Sequence, residues 1–366
     1  MTTSSGCPLL FETLSIGAVQ AGPADGAISA LGGGLLIEPS QDFVPLCHGW
    51  VLIGDSIRNR VVERNLISGQ TGKTYSFSQK PDQFTVDEEN GAIYMTVHPE
   101  TKRLYKLDLN TGAITYNFFT QNIAGYDYRW ALRDLALGED GNVFALMYDP
   151  IQQDPGNGVP FSSSGLWLGL FNGSAGFLTE SIPLEDPVRV EYDPVLDHVF
   201  LATTSNLATF DFDPGTNTLT FVPGTDIGVG SACTDFTTSP DGTRIAYSCP
   251  NGNRSTQDFS IVDMAPDQYF NSDGEWFLGS SPVSATFNKA GTILIATDND
   301  KLYFFDVVTH LILEDFELGL LPGESIKKIR LSLDGQYLIV FLSNELHEES
   351  SKFYWMPMPA ITGTPL

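Results

Sequence analysis

The sequence is short of positive charge: 19 Lys and Arg stand against 45 Asp and Glu, which gives a formal net charge of −26. A field of that sign repels nucleic acid backbones and anionic lipid headgroups, so neither is an expected partner. Long apolar runs are also missing, since the longest candidate, Tyr337 to Leu342, is far below the roughly 18 residues of a membrane helix. We therefore expect no membrane insertion.

Cysteine and recognisable catalytic motifs are scarce as well. The four cysteines are too few for a disulfide-rich scaffold and lack the Cys-x-x-Cys spacing of a metal site. The chain has no GxSxG elbow, HExxH helix, P-loop or GxGxxG turn after a strand. Residues 1–57 contain no Lys or Arg, so the start of the chain is not an intact signal peptide, although export is compatible with a leader removed earlier.

What the sequence does contain is a repeat, visible when its turns are aligned. A short strand-like segment leads into a turn at Gly or Asp, and a β-branched or aromatic strand follows, as in Asp235 to Gly242 before Arg244–Tyr247. These turn residues, here called the anchors, are Gly49, Gly91, Gly141, Asp197, Gly242, Gly291 and Gly335. Successive anchors are 42 to 56 residues apart, the span of one four-stranded propeller blade.

A third strand follows each hairpin and ends in a polar turn. Leu104–Asp108 precedes Asn110-Thr111-Gly112, and Leu207–Phe212 precedes Asp213-Pro214-Gly215. Asp, Asn, Pro and Gly suit such positions because they accept turn dihedrals or satisfy their own backbone. No stretch shows a sustained helical period with caps, so the sequence predicts an all-β protein.

Two segments resemble known repeat families. The segment Thr238–Ala246, TSPDGTRIA, is similar to the strand turn of YVTN-type and WD40-like β-propellers, although the Trp-Asp dipeptide is absent. The segment Ile53–Val62, IGDSIRNRVV, resembles an NHL repeat. The resemblance spans about residues 30–358. It implies a propeller fold and leaves the function open, because propellers serve as binding modules, lactonases, lyases and scaffolds.

We predict one seven-bladed β-propeller that occupies residues 1–366 as a single domain. Its last blade has three clear strands, ending at Phe353–Met356, so the open edge needs a partner. The strand-like segment Leu9–Val19, about residues 9–19, is the expected N-terminal closing strand. The alternative is two β-sandwiches divided near residue 183. The predicted blades lie near residues 30–78, 82–118, 132–180, 186–222, 232–280, 282–317 and 325–358.

The positions of the cysteines carry a prediction about the compartment. If the hairpin turn is symmetric about Asp241, Cys233 and Cys249 face each other at a Cα separation of about 4.5–5.5 Å, which a disulfide accepts. Cys7 and Cys47 could form a second bridge, from the N-terminal arm to the first blade. Both bridges imply a periplasmic or extracellular location. Buried free thiols are the alternative.

Long loops and aromatic residues mark the predicted binding face. The loops Tyr148–Ser164, Pro250–Gln257 and Ser343–Ser351 are longer than ordinary connections. Aromatic rings can stack on a sugar or anchor a partner side chain, and Arg residues nearby can meet an acidic ligand. The alternative is that the aromatic residues pack between the second and third blades. The predicted ligand-binding residues are Tyr126, Tyr128, Trp130, Arg133 and Arg189.

Polar residues that follow the second strand of different blades are candidate metal ligands. Carboxylate, amide and imidazole groups that converge at the channel mouth could hold Ca²⁺ or another divalent ion. Such a site resembles that of metal-dependent propeller lactonases. The alternative is ordinary turn chemistry, in which Asp satisfies its own backbone. The candidate ligands are Asp55, His98, Asp149, Asp298 and Asn344.

These observations favour a non-catalytic, exported binding or scaffold propeller, monomeric and without a required cofactor. It would engage a protein or a glycan through its long-loop face. The sequence shows no paired nucleophile and base, which argues against an enzyme. The rival hypothesis is a metal-dependent, lactonase-like hydrolase with its site at the channel mouth.

Overall fold

A computed structural model shows a chain built of β-strands, with no α-helix in the residues that it describes. Those residues accordingly contain no helix that could cross a membrane. The described residues are 34–37, 42–55, 57–87, 90–98, 103–123, 126–129, 131–138, 141–148, 166–172, 176–181, 187–203, 206–222, 227–228, 235–248, 259–263, 272–276, 283–298, 300–344 and 351–358.

The strands follow one another in antiparallel hairpins. Those of the first half of the chain are β1 (Gly34–Ile37), β2 (Phe43–Pro45), β3 (Trp50–Asp55), β4 (Arg60–Asn65), β5 (Thr71–Ser76), β6 (Lys80–Asp87), β7 (Ala92–His98), β8 (Leu104–Asp108), β9 (Ile114–Asn117), β10 (Thr120–Ile123), β11 (Tyr126–Arg129), β12 (Ala131–Leu137), β13 (Val143–Tyr148), β14 (Leu166–Phe171) and β15 (Gly176–Ser181).

Those of the second half are β16 (Pro187–Asp193), β17 (His198–Thr203), β18 (Asn206–Asp213), β19 (Thr218–Phe221), β20 (Ile227–Gly228), β21 (Asp235–Thr238), β22 (Arg244–Ser248), β23 (Phe259–Asp263), β24 (Ser272–Trp276), β25 (Ser284–Phe287), β26 (Ile293–Thr297), β27 (Lys301–Asp306), β28 (Ile312–Glu317), β29 (Glu324–Leu331), β30 (Tyr337–Asn344) and β31 (Lys352–Pro357).

Consecutive strands form sheets of four or five strands, numbered here in chain order. Sheet 1 contains β2–β5, sheet 2 β6–β9, sheet 3 β12–β15, sheet 4 β16–β20, sheet 5 β21–β24, sheet 6 β25–β28, and sheet 7 β29–β31 with β1. Strands β10 and β11 pair only with each other within the described chain. Two compact units divide the chain, residues 1–81 with 234–366, and residues 82–233. Sheets 1, 5, 6 and 7 belong to the first unit, and the rest to the second.

The predicted anchors lie in the turns between the first and second strands of their sheets. Gly335 has a φ of 73°, and a Cβ atom on it would lie 3.0 Å from the Cβ of Lys289 in the corresponding turn of sheet 6. Glycine is favoured there by both the left-handed backbone and the close approach. Asp197 adopts the same left-handed region with a φ of 55°, which Asp tolerates better than most residues.

Sheet 7 is completed by a strand from the N-terminal side of the chain. β1 pairs with β31, with Leu36 opposite Phe353. The sequence prediction put residues 9–19 at this edge, and these lie outside the described residues. The strand found there is the shorter apolar run Gly34–Ile37, which precedes sheet 1 by only a few residues and therefore reaches the neighbouring edge through a short connection.

Aromatic rings join sheet 7 to sheet 1 within the first unit. Phe353 stacks on Phe341 with 4.9 Å between ring centroids. Phe43 of sheet 1 meets the Phe353 ring edge-on at 5.3 Å. All three side chains are buried, together with Val51 and Ile53 of sheet 1. The first and last sheets of the chain therefore share one hydrophobic core.

Sheets 3 and 4 share the corresponding core of the second unit. Phe144 of sheet 3 stacks on Tyr192 at 5.2 Å and meets Phe212 edge-on at 4.9 Å, both in sheet 4. Leu146 and Leu201 are buried in the same cluster. In each unit, neighbouring sheets are thus held face to face by apolar side chains.

Replacing Phe43 by Ala is expected to lower the free energy of unfolding by about 3–5 kcal/mol, because a cavity is left between sheets 1 and 7. Urea unfolding followed by circular dichroism and fluorescence measures the change. The control is Val308→Ala, at a side chain that is 74% exposed. It should cost less than about 0.5 kcal/mol. Equal effects of the two substitutions would show that Phe43 does not join the sheets in solution.

Candidate functional site

Buried polar side chains link the first strands of neighbouring sheets in the first unit. Asp235 of β21 accepts hydrogen bonds from the Ser284 hydroxyl at 2.5 Å and from the Ala285 N–H at 3.2 Å, both in β25. The Ser284 oxygen in turn accepts the N–H of Ile329 in β29 at 3.2 Å. One chain of hydrogen bonds therefore connects sheets 5, 6 and 7.

The same kind of link recurs elsewhere in both units. In the second unit, Asp134 of β12 accepts the N–H of Val190 in β16 at 2.8 Å. In the first unit, Lys328 of β29 donates to Asp42, which directly precedes β2, at 2.5 Å. The linking side chains occupy one repeat position, seven residues before an anchor, and they are Asp42, Asp134, Asp235, Ser284 and Lys328.

Sequence reasoning assigned no role to this position. The usable signal was the recurrence itself, because a polar residue keeps one fixed distance to the turn in several sheets. Its chemical consequence is clearest at Ser284, which is buried and directs its hydroxyl hydrogen to Asp235 while its oxygen accepts a backbone N–H. Both hydrogen-bonding capacities hold sheets together, so the geometry is that of a structural link rather than of an activated nucleophile.

Asp55, a predicted metal ligand, caps the turn after β3. Its Oδ1 accepts the N–H groups of Ile57 and Arg58, and its Oδ2 accepts from the guanidinium groups of Arg58 at 3.0 Å and Arg60 at 2.7 Å. Burial of the carboxyl group acts to raise its pKa, but the hydrogen bonds from Arg60 and Arg58 outweigh it and hold the pKa of Asp55 below its ordinary value. Both carboxylate oxygens of Asp55 therefore already accept hydrogen bonds.

Asp298 performs the same task at the end of β26. Its Oδ1 accepts the N–H groups of Asp300 at 3.0 Å and Lys301 at 2.8 Å, and its Oδ2 accepts the Tyr303 hydroxyl at 2.8 Å. Burial and this hydrogen bond raise the pKa of Tyr303. Burial beside Asp298 also raises the pKa of Asp300. The alternative of ordinary turn chemistry therefore describes Asp55 and Asp298.

The structure describes no side chain for the other three predicted metal ligands. His98 ends β7 and Asn344 ends β30, with only their backbones described, and Asp149 lies outside the described residues. Among the residues whose placement is described, no group of three His, Cys, Asp or Glu could hold a metal ion. Asp55 and Asp298 are thus the only two of the five candidates whose side chains the structure describes, and the metal site remains a prediction.

The predicted aromatic segment forms a β-hairpin of its own. Tyr126 and Tyr128 lie in β11, where they pair with Ile123 and Gln121 of β10. Cross-strand partners and residues two apart share a face of a hairpin, so these four residues lie on one face. Trp130 lies outside the described residues. Sequence reasoning located this segment but did not predict the added pair of strands.

The two predicted arginines flank β-bulges in sheets 3 and 4. Arg133 is exposed at the register shift between Leu132 and Asp134, and Arg189 is half-buried beside the shift in β16. Both therefore belong to the first strands of their sheets. Most residues of the three predicted long loops lie outside the described part, namely 149–165, 249–258 and 345–350.

The hairpin around Asp241 has a register that differs by one residue from the predicted one. Thr238 pairs with Ile245 and Asp235 with Ser248, so the hairpin is symmetric about the bond between Asp241 and Gly242 and not about Asp241. Six residues, an even number, separate the paired residues Thr238 and Ile245, and this shifts the register by one from the predicted symmetry. The symmetry argument for pairing is therefore wrong. The bridge itself stays a prediction.

Cys47 is described, whereas the other three cysteines are not. It lies two residues after β2, is fully buried and is disulfide-bonded, with its partner outside the described residues. Cys7, Cys233 and Cys249 lie in that undescribed part. The bridge from Cys7 to Cys47 also remains a prediction.

No protein-family model and no curated protein matches this sequence, but solved structures do. Hydrazine synthase from Kuenenia stuttgartiensis superposes with a TM-score of 0.62 and 12% identity, over 89% of this chain and 97% of that one. The Cps50 (Swd1) β-propeller domain from Myceliophteria thermophila has the same TM-score and identity, over 89% of this chain and 100% of that one. The chain has a β-propeller fold.

Propeller blades are four-stranded sheets around a central channel, so the sheets of both units correspond to blades. The prediction of an all-β propeller is thereby confirmed. At 12% identity the likeness carries the fold and no activity. The resemblance to YVTN and NHL repeats stays a prediction.

Asp55→Asn should distinguish the contribution of the carboxylate charge from that of the turn hydrogen bonds. Asn can still accept the N–H groups of Ile57 and Arg58, but it offers no charged acceptor to the guanidinium groups of Arg58 and Arg60. We expect a loss of about 1–3 kcal/mol at pH 7. Since the pKa of Asp55 is lowered by folding, its stabilisation is present above the unfolded pKa and lost as the pH falls through the folded one. The difference between variant and wild type should therefore shrink in acid. Unfolding free energies measured from pH 7 to pH 3 test this.

Asp300→Asn is the control of opposite sign. Because folding raises the pKa of Asp300, its ionised form is disfavoured in the fold, and neutralisation should not destabilise the protein at pH 7. A destabilisation by Asp55→Asn that is independent of pH would contradict the ion-pair assignment.

Proposed function

We propose that this chain is a seven-bladed β-propeller that acts as a non-catalytic binding or scaffold protein for a protein partner. Seven sheets of four or five strands follow one another among the described residues, each with its anchor, which supports one blade per sheet. The pairing of β1 with β31 and the packing of Phe43 on Phe353 support closure between the first and last blades.

The use of the polar side chains supports binding over catalysis. Asp235 and Ser284, the pair that most resembles catalytic machinery, are occupied by hydrogen bonds between sheets. Asp55 and Asp298 are occupied by turn amides and by Arg or Tyr side chains. The lactonase-like alternative includes Asp55 and Asp298 among its metal ligands. Because the carboxylate oxygens of both residues already accept hydrogen bonds within the chain, that alternative has no supporting observation.

One observation carries the choice of a binding function: the hairpin β10–β11 is added to the four-stranded plan. Ordering these residues costs conformational entropy and adds no strand to a blade, so a function on the added element is the natural reason to keep it. Tyr126 and Tyr128 share a face of the hairpin, and exposed Arg133 follows in β12. Tyr and Arg are enriched among the residues that dominate protein interfaces.

The hairpin also favours a protein partner over a glycan. Among the described residues its strands pair with no blade, so their backbone groups can pair with another chain. Tyr is a residue type that binds proteins through a large and rigid surface. A glycan would use the ring faces alone. Monomeric behaviour is part of this proposal.

Double substitution of Tyr126 and Tyr128 by Ala is expected to reduce capture of the protein partner at least about tenfold, because two central contacts are removed. Immobilised wild type and variant are exposed to extract from the source organism, and bound proteins are compared by quantitative mass spectrometry. The matched control is Thr120→Ala with Asn122→Ala, on the opposite face of the same hairpin. Circular dichroism verifies that all three proteins are folded.

Two results would overturn this proposal. One is equal protein capture by the two double variants. The other is specific binding on a glycan array, lost in the Tyr126→Ala and Tyr128→Ala variant, with no protein captured above the level of a heat-denatured control.

We also propose an exported location, periplasmic or extracellular. The buried disulfide at Cys47 supports it, since stable structural disulfides belong to oxidising compartments. Peptide mapping without reductant, on protein purified with a thiol-blocking reagent, should recover Cys7 linked to Cys47 and Cys233 linked to Cys249. Recovery of all four blocked thiols would remove the basis for export, and a different connectivity would retain export while discarding these two pairs.

A further inference from the structure

An arginine that directly precedes β8, the third strand of sheet 2, is held on aromatic rings beside the outer strand β9. The guanidinium carbon of Arg103 lies 4.7 Å from the ring centroid of Tyr116 and 5.6 Å from that of Phe118. Its Nη1 donates to the Tyr105 hydroxyl at 3.3 Å. Tyr116 in turn contacts both other rings, with centroids 5.7 Å from Tyr105 and 5.6 Å from Phe118. We call these four residues the Arg103 cluster.

The cluster lies at an accessible edge of its sheet. β9 is the last strand of sheet 2, and Tyr105 of β8 pairs with Tyr116 of β9. Tyr116 is 50% exposed, and Ile114, two residues earlier on the same face, is 36% exposed. Tyr105 is buried beneath them. An apolar strip with a cation at its end is therefore presented to solvent.

Arg103 differs from the cations of the first unit in its partners. Arg60, Lys301 and Lys352 each contact a carboxylate. Within the described part of the chain, Arg103 contacts the three aromatic side chains of its cluster. The chain has 45 acidic and 19 basic residues, and Arg103 is held by rings where Arg60, Lys301 and Lys352 are held by carboxylates. The complementary ligand group is an anion.

The β9 edge also lacks the usual protection against strand pairing. Its residues Ile114–Asn117 include no charge and no proline. By contrast, the outer strand β28 of sheet 6 carries Glu314, Asp315 and Glu317. Charged residues and prolines on edge strands normally prevent another strand from adding to the sheet. Among the described strands, β9 pairs only with β8, so its outer edge can accept an extended segment.

We propose that the β9 edge and the Arg103 cluster bind an extended, acidic peptide segment of a partner protein. The segment adds a strand to sheet 2, places an apolar side chain against Tyr116 and Ile114, and places a carboxylate at the guanidinium of Arg103. A planar guanidinium suits a carboxylate because two parallel hydrogen bonds can form. This inference deepens the proposed binding function by adding a second surface with a stated partner chemistry.

The test uses synthetic, dye-labelled peptides of about nine residues, a common strand length. One set alternates Val or Tyr with Glu, a second replaces each Glu by Lys, and a third is the Glu set with alternate backbone nitrogens methylated. Fluorescence anisotropy with the full chain should show binding of the first set. The Lys set and the methylated set should each bind at least about tenfold more weakly, because the ion pair or the strand pairing is lost.

Matched variants locate the binding. Arg103→Ala and Arg103→Gln should each weaken the Glu peptides about tenfold or more. Lys106→Ala removes the same charge three residues further along the chain, but Lys106 lies in β8, over the Tyr94 ring on the opposite face. It should change the affinity by less than about twofold. Thermal unfolding verifies that each variant is folded, and the pair of Arg103 variants guards against loss through misfolding of one.

Three results would overturn the inference: equal or absent binding of the Glu and Lys peptides, equal effects of Arg103→Ala and Lys106→Ala, or light scattering that shows a dimer which Arg103→Ala dissociates. The last would assign the edge to a second copy of this chain. The variant with Tyr126 and Tyr128 replaced should bind the Glu peptides like the wild type. Failure of the hairpin proposal and failure of this one are therefore distinguishable.

Discussion

The blades of this protein carry apolar side chains on both faces, so each needs a neighbour on either side. In sheet 6, Leu302 and Phe304 pack with residues of sheet 7, whereas Phe305 on the other face packs in a cluster that includes Ala246 of sheet 5. A four-stranded sheet with two apolar faces cannot be stable alone in water. The repeated stacking, and the shared core of sheets 1 and 7, are consequences of this one constraint.

Stacking of this kind buries polar groups at the first strands, and buried polar groups need partners. The position seven residues before the anchor meets that need, with a carboxylate, a hydroxyl or a lysine that reaches the next sheet. Asp235 and Ser284 are the clearest case. Residue types that elsewhere perform catalysis are used here to connect blades. The binding surfaces that we propose are the hairpin β10–β11, which is added to the blade plan, and the outer edge of β9.

Much of the fold could be predicted from the sequence because its signals are local. A turn at Gly335 or Asp197 depends on the dihedral preferences of a few residues, and all seven anchors lie between the first and second strands of their sheets. The roles of the candidate site residues were harder to predict from the sequence. A carboxylate after a strand, as at Asp55, has the same local sequence whether it binds a metal or caps its own turn. Only the positions of the Arg58 and Arg60 guanidinium groups show that Asp55 caps its turn. The register around Asp241 failed for a related reason, since turn length depends on backbone geometry that composition does not specify.

The sequence by itself determined the all-β class, the repeat, its turns and the acidic character, because each depends on residue types and on spacings of a few positions. The tertiary structure alone decided which segment, Gly34–Ile37, completes sheet 7, which polar residues connect the blades, and that Arg103 rests on Tyr116 and Phe118. Many of these contacts join residues far apart in the chain, and even near neighbours meet only through the register and packing of strands. Their partners are therefore set by geometry that no local pattern contains.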